Sequence, residues 1–293
     1  MDRPAYRYPE TLVTTEWLAD NLHDPKLRIY DCTTYLRYTP GAGKPYNVES
    51  GRADYDEGHI PNSAFLDLQA DLSDNASPFR FTILPPDELS ARFASHGIDN
   101  SSRVVLYSRA NMQWATRVWW MLRYVGFDNA AILDGGWDAW SVEGRAVATD
   151  ATRYPEGQLA ATPRPDLFVG KAETQAAIGA PDVCTINALA EDLHSGANAR
   201  YGRPGRIPGS VNIPAAALQT GPAKQFASPD QVQVHLDAVG AGRSKRIILY
   251  CGGGIAATLD AYLMHQLGYE NLAVYDNSMS EWATQDDLPI ETD

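Results

Sequence analysis

Cysteine is scarce in this 293-residue chain, cations are outnumbered, and long apolar runs are missing. Cys32, Cys184 and Cys251 are an odd number without C-x-x-C spacing, which argues against a disulfide framework and against a zinc site. Lys and Arg number 24 against 37 Asp and Glu, a formal charge of −13. With that balance, neither nucleic acid nor a membrane surface is an expected partner. No stretch approaches the roughly 18 apolar residues of a bilayer span. The first ten residues are polar, with no apolar core of a secretory signal, so a cytoplasmic location is expected. What remains, at 44% hydrophobic and 21% charged, is a globular chain long enough for two domains.

The organising stretch runs from Arg246 to Gly268. Ile247 to Tyr250 is a short unbroken apolar run, as in a strand buried on both faces of a parallel sheet. Cys251 follows, then Gly252, Gly253 and Gly254, which allow backbone N–H groups to turn toward a common centre and attract an anion. From Ala256 the pattern is helical, with Leu259, Tyr262 or Leu263 and Leu267 on one face and Gly268 as the stop. Cys251 is thereby set between a strand end and a helix N-terminus, where amides and the helix dipole both favour a thiolate. Cys32 and Cys184 follow apolar strand residues and read as core.

The order of elements occurs twice. Val104–Tyr107, the helix from Trp114 to Tyr124 and Ala130–Asp134 are answered by Ile247–Tyr250, the helix after Ala256 and Val274–Asp276. Gly58–Ala64 matches Gly205–Val211, and offsets stay near 142 to 147 residues. The fold class expected is therefore α/β, two tandem domains, each a mainly parallel sheet flanked by helices with its site beyond the strand ends. We place the first domain at residues 1–148, a proline-containing linker at 149–166 and the second domain at 167–293. Gly41 to Asp56 reads as a surface excursion. Ser108 answers Cys251, so only the second half carries a nucleophile.

Gly-His-Ile-Pro at 58–61, Gly-Arg-Ile-Pro at 205–208, Arg-Val-Trp-Trp-Met-Leu-Arg at 117–123, Asp-Gly-Gly-Trp at 134–137 and the cysteine loop together resemble the rhodanese family, specifically its tandem-domain sulfurtransferases. The resemblance covers almost the whole chain. It implies that Cys251 takes a sulfane sulfur from thiosulfate or 3-mercaptopyruvate, holds it as a persulfide, and passes it to a thiol or cyanide. It also implies that Gly252, Gly253, Gly254, Ile255, Ala256, Ala257 and Thr258 cradle the persulfide, with no metal or organic cofactor required.

Three departures bear on the donor. The resemblance puts Cys-Arg-Lys-Gly in thiosulfate-preferring members and Cys-Gly-Ser-Gly in mercaptopyruvate-preferring ones, whereas this loop is Cys-Gly-Gly-Gly. The region 189–193 lacks the arginine that the resemblance leads one to expect there, and Ser77 to Pro85 lacks a histidine before Leu-Pro. Arg200 and Arg80 are the candidates for binding a small anionic donor. His59 reads as a turn residue and His265 as structural or exposed. A phosphatase is disfavoured because no arginine lies within 251–258 to grip a phosphate. The alternative to an enzyme is a non-catalytic or redox-sensing binding module of the same fold.

Overall fold

The sequence period that ends at Cys251 builds the middle of a five-stranded parallel sheet. In the computed structural model, which describes residues 6–38 and 45–293, the strand Arg246–Tyr250 lies between Val183–Asn187 and Leu272–Tyr275. Val211–Asn212 and Phe168–Val169 complete the two edges. The first half repeats the plan, with Arg103–Tyr107 between Leu27–Asp31 and Ala130–Leu133, and with Ser63–Phe65 and Leu12–Val13 at the edges. Every pairing in both sheets is parallel, so both faces need cover, and the central strands are apolar on both.

The duplication is visible in side-chain chemistry as well as in strand order. The Tyr107 hydroxyl meets the Ser63 hydroxyl at 2.9 Å and the Ile60 N–H at 3.4 Å. At the matching place in the second half, the Tyr250 hydroxyl meets Ser210 at 2.7 Å and the Ile207 N–H at 3.1 Å. Each tyrosine ties its central strand to the Ile-Pro turn that leads into the edge strand.

The halves join through equivalent helices, Gln113–Tyr124 and Ala256–Gln266. Thr116 and Thr258 face each other across this seam, hydroxyl to hydroxyl at 2.9 Å. Trp119 packs edge-on to Tyr262, ring centroids 4.9 Å apart. Because these helices are covered on all sides, they are apolar nearly all round, which blurs the one-face pattern expected from the sequence. The start of the chain reinforces the seam: the Arg7 N–H donates to the Gln266 carbonyl, and Tyr8 stacks on His265 at 4.4 Å.

Three segments carry more structure than the sequence reading assigned to them. Of the Gly41–Asp56 excursion, residues 41–44 lie outside the described residues; beyond them Asn47–Ser50 pairs antiparallel with Thr34–Arg37, and the helix Arg52–Glu57 follows. Alternation there is weak because the hairpin lies outside the main sheet. The linker is not free chain, since Gly157 N–H donates to Ala94 and Thr162 N–H to Val125 in the first half. A two-strand ribbon, Gln219–Thr220 with Gln225–Phe226, is too short to show period-2 alternation in the sequence.

Candidate active site

Cys251 ends its strand 2% exposed, at the floor of a cavity of about 300 Å³. Gly252, Gly253, Ile255 and Ala256 line the same cavity. Among the described residues, the N–H groups of Gly252, Gly253, Ile255, Ala256 and Ala257 take no protein acceptor, which leaves them for an anion. Two loop amides are used differently. Those of Cys251 and Gly254 donate to the Ser278 hydroxyl at 3.0 and 3.2 Å, and that hydroxyl donates to the Tyr275 carbonyl at 2.7 Å. Ser278 holds this position at φ +49°, in the left-handed region that disfavours a residue with a Cβ.

An inward-facing row of amides needs its carbonyls held outward. Met279 N–H takes the Cys251 carbonyl at 3.0 Å and Ser280 N–H takes that of Gly252 at 2.8 Å. The Gly254 carbonyl is taken at 3.1 Å by Arg117, a residue of the other half. Arg117 is fully buried and also donates to the Phe81 carbonyl at 2.8 Å and the Asp276 carboxylate at 2.6 Å. Gly254 sits at φ +70°, and a Cβ there would run into the Asp276 carbonyl.

Thr258, expected in the cradle, is fully buried and turned toward the seam, with its hydroxyl on the Ile255 carbonyl and on Thr116. Ala257 is buried and also lies outside the cavity lining. Arg200 does line the cavity, its guanidinium 3.9 Å from the centre of the Tyr38 ring. Arg80 is exposed, and it is its neighbour Phe81, at φ +64°, that reaches the lining. The other two thiols are pushed up by burial, Cys32 the more strongly, in keeping with core positions. His59 is buried and stacked on Tyr55, with Nδ1 2.7 Å from the Tyr55 carbonyl, a turn residue. A larger cleft of about 510 Å³, lined by Arg52, Asp71, His96 and Tyr154 among others, shares no residue with the Cys251 cavity.

The tyrosines were not legible as site residues. Tyr38, Tyr46 and Tyr201 line the cavity with Phe81, and Tyr46 lies 6.3 Å, ring centre to ring centre, from both Tyr38 and Tyr201. They explain the glycines. A Cβ on Gly252 would collide with the Tyr201 hydroxyl, and one on Gly253 would lie 2.9 Å from the Tyr46 hydroxyl. Where the missing arginine was sought, Ala188, Leu189, Ala190 and Leu193 give the cavity an apolar wall instead.

Among the described residues, the arrangement is a nucleophile beneath a small, largely apolar chamber, with unclaimed amides on one side and one cation at the wall. The model of the rhodanese-like domain matches residues 14–143 and 192–285. The chain is 29% identical to the 3-mercaptopyruvate sulfurtransferase of Escherichia coli strain K12, over 95% of this chain and 97% of that one. It is 30% identical to the probable 3-mercaptopyruvate sulfurtransferase of Pseudomonas aeruginosa, over 96% and 98%. The crystal structure of SseA, the Escherichia coli 3-mercaptopyruvate enzyme, superposes with a TM-score of 0.78 at 26% identity, covering 92% of this chain and 98% of that one. With two rhodanese-like domains, matched over most of its length and sharing this fold, the chain belongs to the rhodanese family of sulfurtransferases.

Proposed function

We propose that Cys251 is the sulfur carrier and that the donor is a small mono-carboxylate thiol of the 3-mercaptopyruvate type. The observation that carries the reading is the charge count of the cavity: among the described residues Arg200 is its one cationic lining residue, and apart from Gln113 and the cysteine loop the rest of that wall is apolar or aromatic. Thiosulfate is a compact dianion with no apolar part, and such a wall offers it little in exchange for its hydration. A mercapto-carboxylic acid presents one carboxylate to Arg200 and an apolar CH₂–S end to Cys251.

In the first half-reaction the Cys251 thiolate attacks the donor sulfur, and the persulfide formed is held by the free amides of Gly252, Gly253, Ile255 and Ala256. In the second, a thiol or cyanide removes the outer sulfur and returns the thiolate. Arg80, next in the chain to the lining residue Phe81 and with its charge acting on Tyr46, is a weaker steering group for the donor. A cytoplasmic location fits three unpaired thiols, and no helix among the described residues is long and apolar enough to cross a membrane.

Steady-state kinetics of Arg200→Met test the reading. The expected result is a KM for 3-mercaptopyruvate raised about tenfold or more, the loss of one charge-assisted contact, with kcat nearly kept. An unchanged KM, or thiosulfate outperforming mercaptopyruvate in the parent enzyme, contradicts it. Arg80→Ala is expected to raise the same KM by less, and no change removes Arg80 from the site.

A further inference from the structure

We infer that Tyr201 is the proton donor of the sulfur-loading step, taking the place of an acid that neither the cysteine loop nor the segment 77–85 supplies. The inference rests on the sulfur-transfer reading above. Breaking a carbon–sulfur bond leaves electrons on carbon, and an enolate leaving into an apolar chamber needs a proton. The loop residues 251–257 carry no hydroxyl, imidazole or carboxyl group beyond the cysteine itself. The Thr258 hydroxyl is committed to the seam, and Ser278 is committed to two loop amides and the Tyr275 carbonyl.

The Tyr201 hydroxyl lies against the Cα of Gly252, the residue after the nucleophile, closely enough to exclude any side chain there. Tyr201 is 7% exposed and lines the cavity, and no described residue accepts a hydrogen bond from it. Burial and the neighbouring Tyr38 and Cys251 push its phenol well above the ordinary tyrosine range, which keeps the proton on oxygen until a strong base forms beside it. Tyr46, whose phenol burial pushes up to about 12, packs against it and keeps the ring in place.

The step balances without an outside redox partner. The Cys251 Sγ–S bond forms and the donor C–S bond breaks, its electron pair passing to carbon. The resulting enolate takes the Tyr201 proton and becomes pyruvate. The tyrosinate then recovers the proton that entered on the transferred S–H, leaving the persulfide anion among the loop amides. The cysteine sulfur and the transferred sulfur are together oxidised by two electrons, and the donor carbon is reduced by the same two.

Single-turnover loading of the full chain, followed by intact mass, separates this from a packing role. Tyr201→Phe keeps the ring and removes only the oxygen. With 3-mercaptopyruvate the variant is expected to load about 10²-fold more slowly, the low end of general-acid catalysis. With glutathione persulfide, whose leaving group is a thiolate that needs no proton on carbon, the rate is expected to stay within about threefold of the parent. Equal slowing with both donors, or slowing with neither, overturns the assignment while the parent still loads. A parent enzyme that loads from neither donor overturns the sulfur-transfer reading and this one with it.

Discussion

The guanidinium of Arg117 lies 2.6 Å from the Asp276 carboxylate and 3.1 Å from the Gly254 carbonyl, so a residue of the first half fixes the nucleophile loop of the second. This gives the half without a cysteine a mechanical task. Replacing Arg117 by Met removes the cation from Asp276, which keeps the Ile83 N–H, and leaves two buried carbonyls without the guanidinium donor. The expected cost is about 3–5 kcal/mol, typical of breaking a buried ion pair from one side, measured by urea unfolding. A loss below about 1 kcal/mol would show that the clamp is dispensable.

Ser278 offers a separable test of the loop. Ser278→Ala removes the acceptor for the Cys251 and Gly254 amides, an expected loss of about 1–3 kcal/mol together with slower sulfur loading. Ser278→Gly loses the same hydroxyl but relieves the φ of +49°, so it is expected to be more stable than the alanine variant by about 1 kcal/mol. Equal stabilities would mean that the left-handed conformation is not retained.

The glycine pair is explained by the tyrosines above it, and the explanation can be checked by a cycle. Gly253→Ser brings a Cβ to 2.9 Å from the Tyr46 hydroxyl, and overpacking of this kind costs about 1–3 kcal/mol. Adding Tyr46→Phe is expected to recover a large part of the loss. Additive losses in the double variant would contradict the steric account.

Much of this was readable from the chain, for stated reasons. Ile247 to Tyr250 is apolar without alternation because both sheet faces are covered, and the Gly-Gly-Gly after Cys251 marks the turn at the strand end. The duplication was legible because each half needs its own tyrosine, Ile-Pro turn and closing glycine. Tyr46 and Tyr201 were not, because nothing in their local sequence separates a phenol at a site from one in a core. The Arg117 clamp was hidden for another reason. Its position matches Leu259 in the second half, so the repeat gives no hint that it reaches across the seam.

Asp260 makes stability depend on pH. It is fully buried on the helix after Cys251, neither carboxylate oxygen has a partner among the described residues, and burial pushes its carboxyl well above the ordinary range. A group whose folded pKa is raised contributes stability below its unfolded value, about 4, and loses that contribution as pH rises toward the folded value. Asp260→Leu is therefore expected to be the more stable protein at pH 7, by about 1–3 kcal/mol, with the gain shrinking toward pH 4. A variant that is less stable at pH 7 would show that the carboxyl has a partner in solution.

The central claim is that Cys251 carries sulfur, and intact mass tests it most directly. After incubation with 3-mercaptopyruvate the parent protein is expected to gain one sulfur, about 32 Da, lost again on adding cyanide, while Cys251→Ser gains nothing. Thiosulfate is expected to load it more slowly. No gain on the parent from either donor, or an equal gain on Cys251→Ser, would contradict the account.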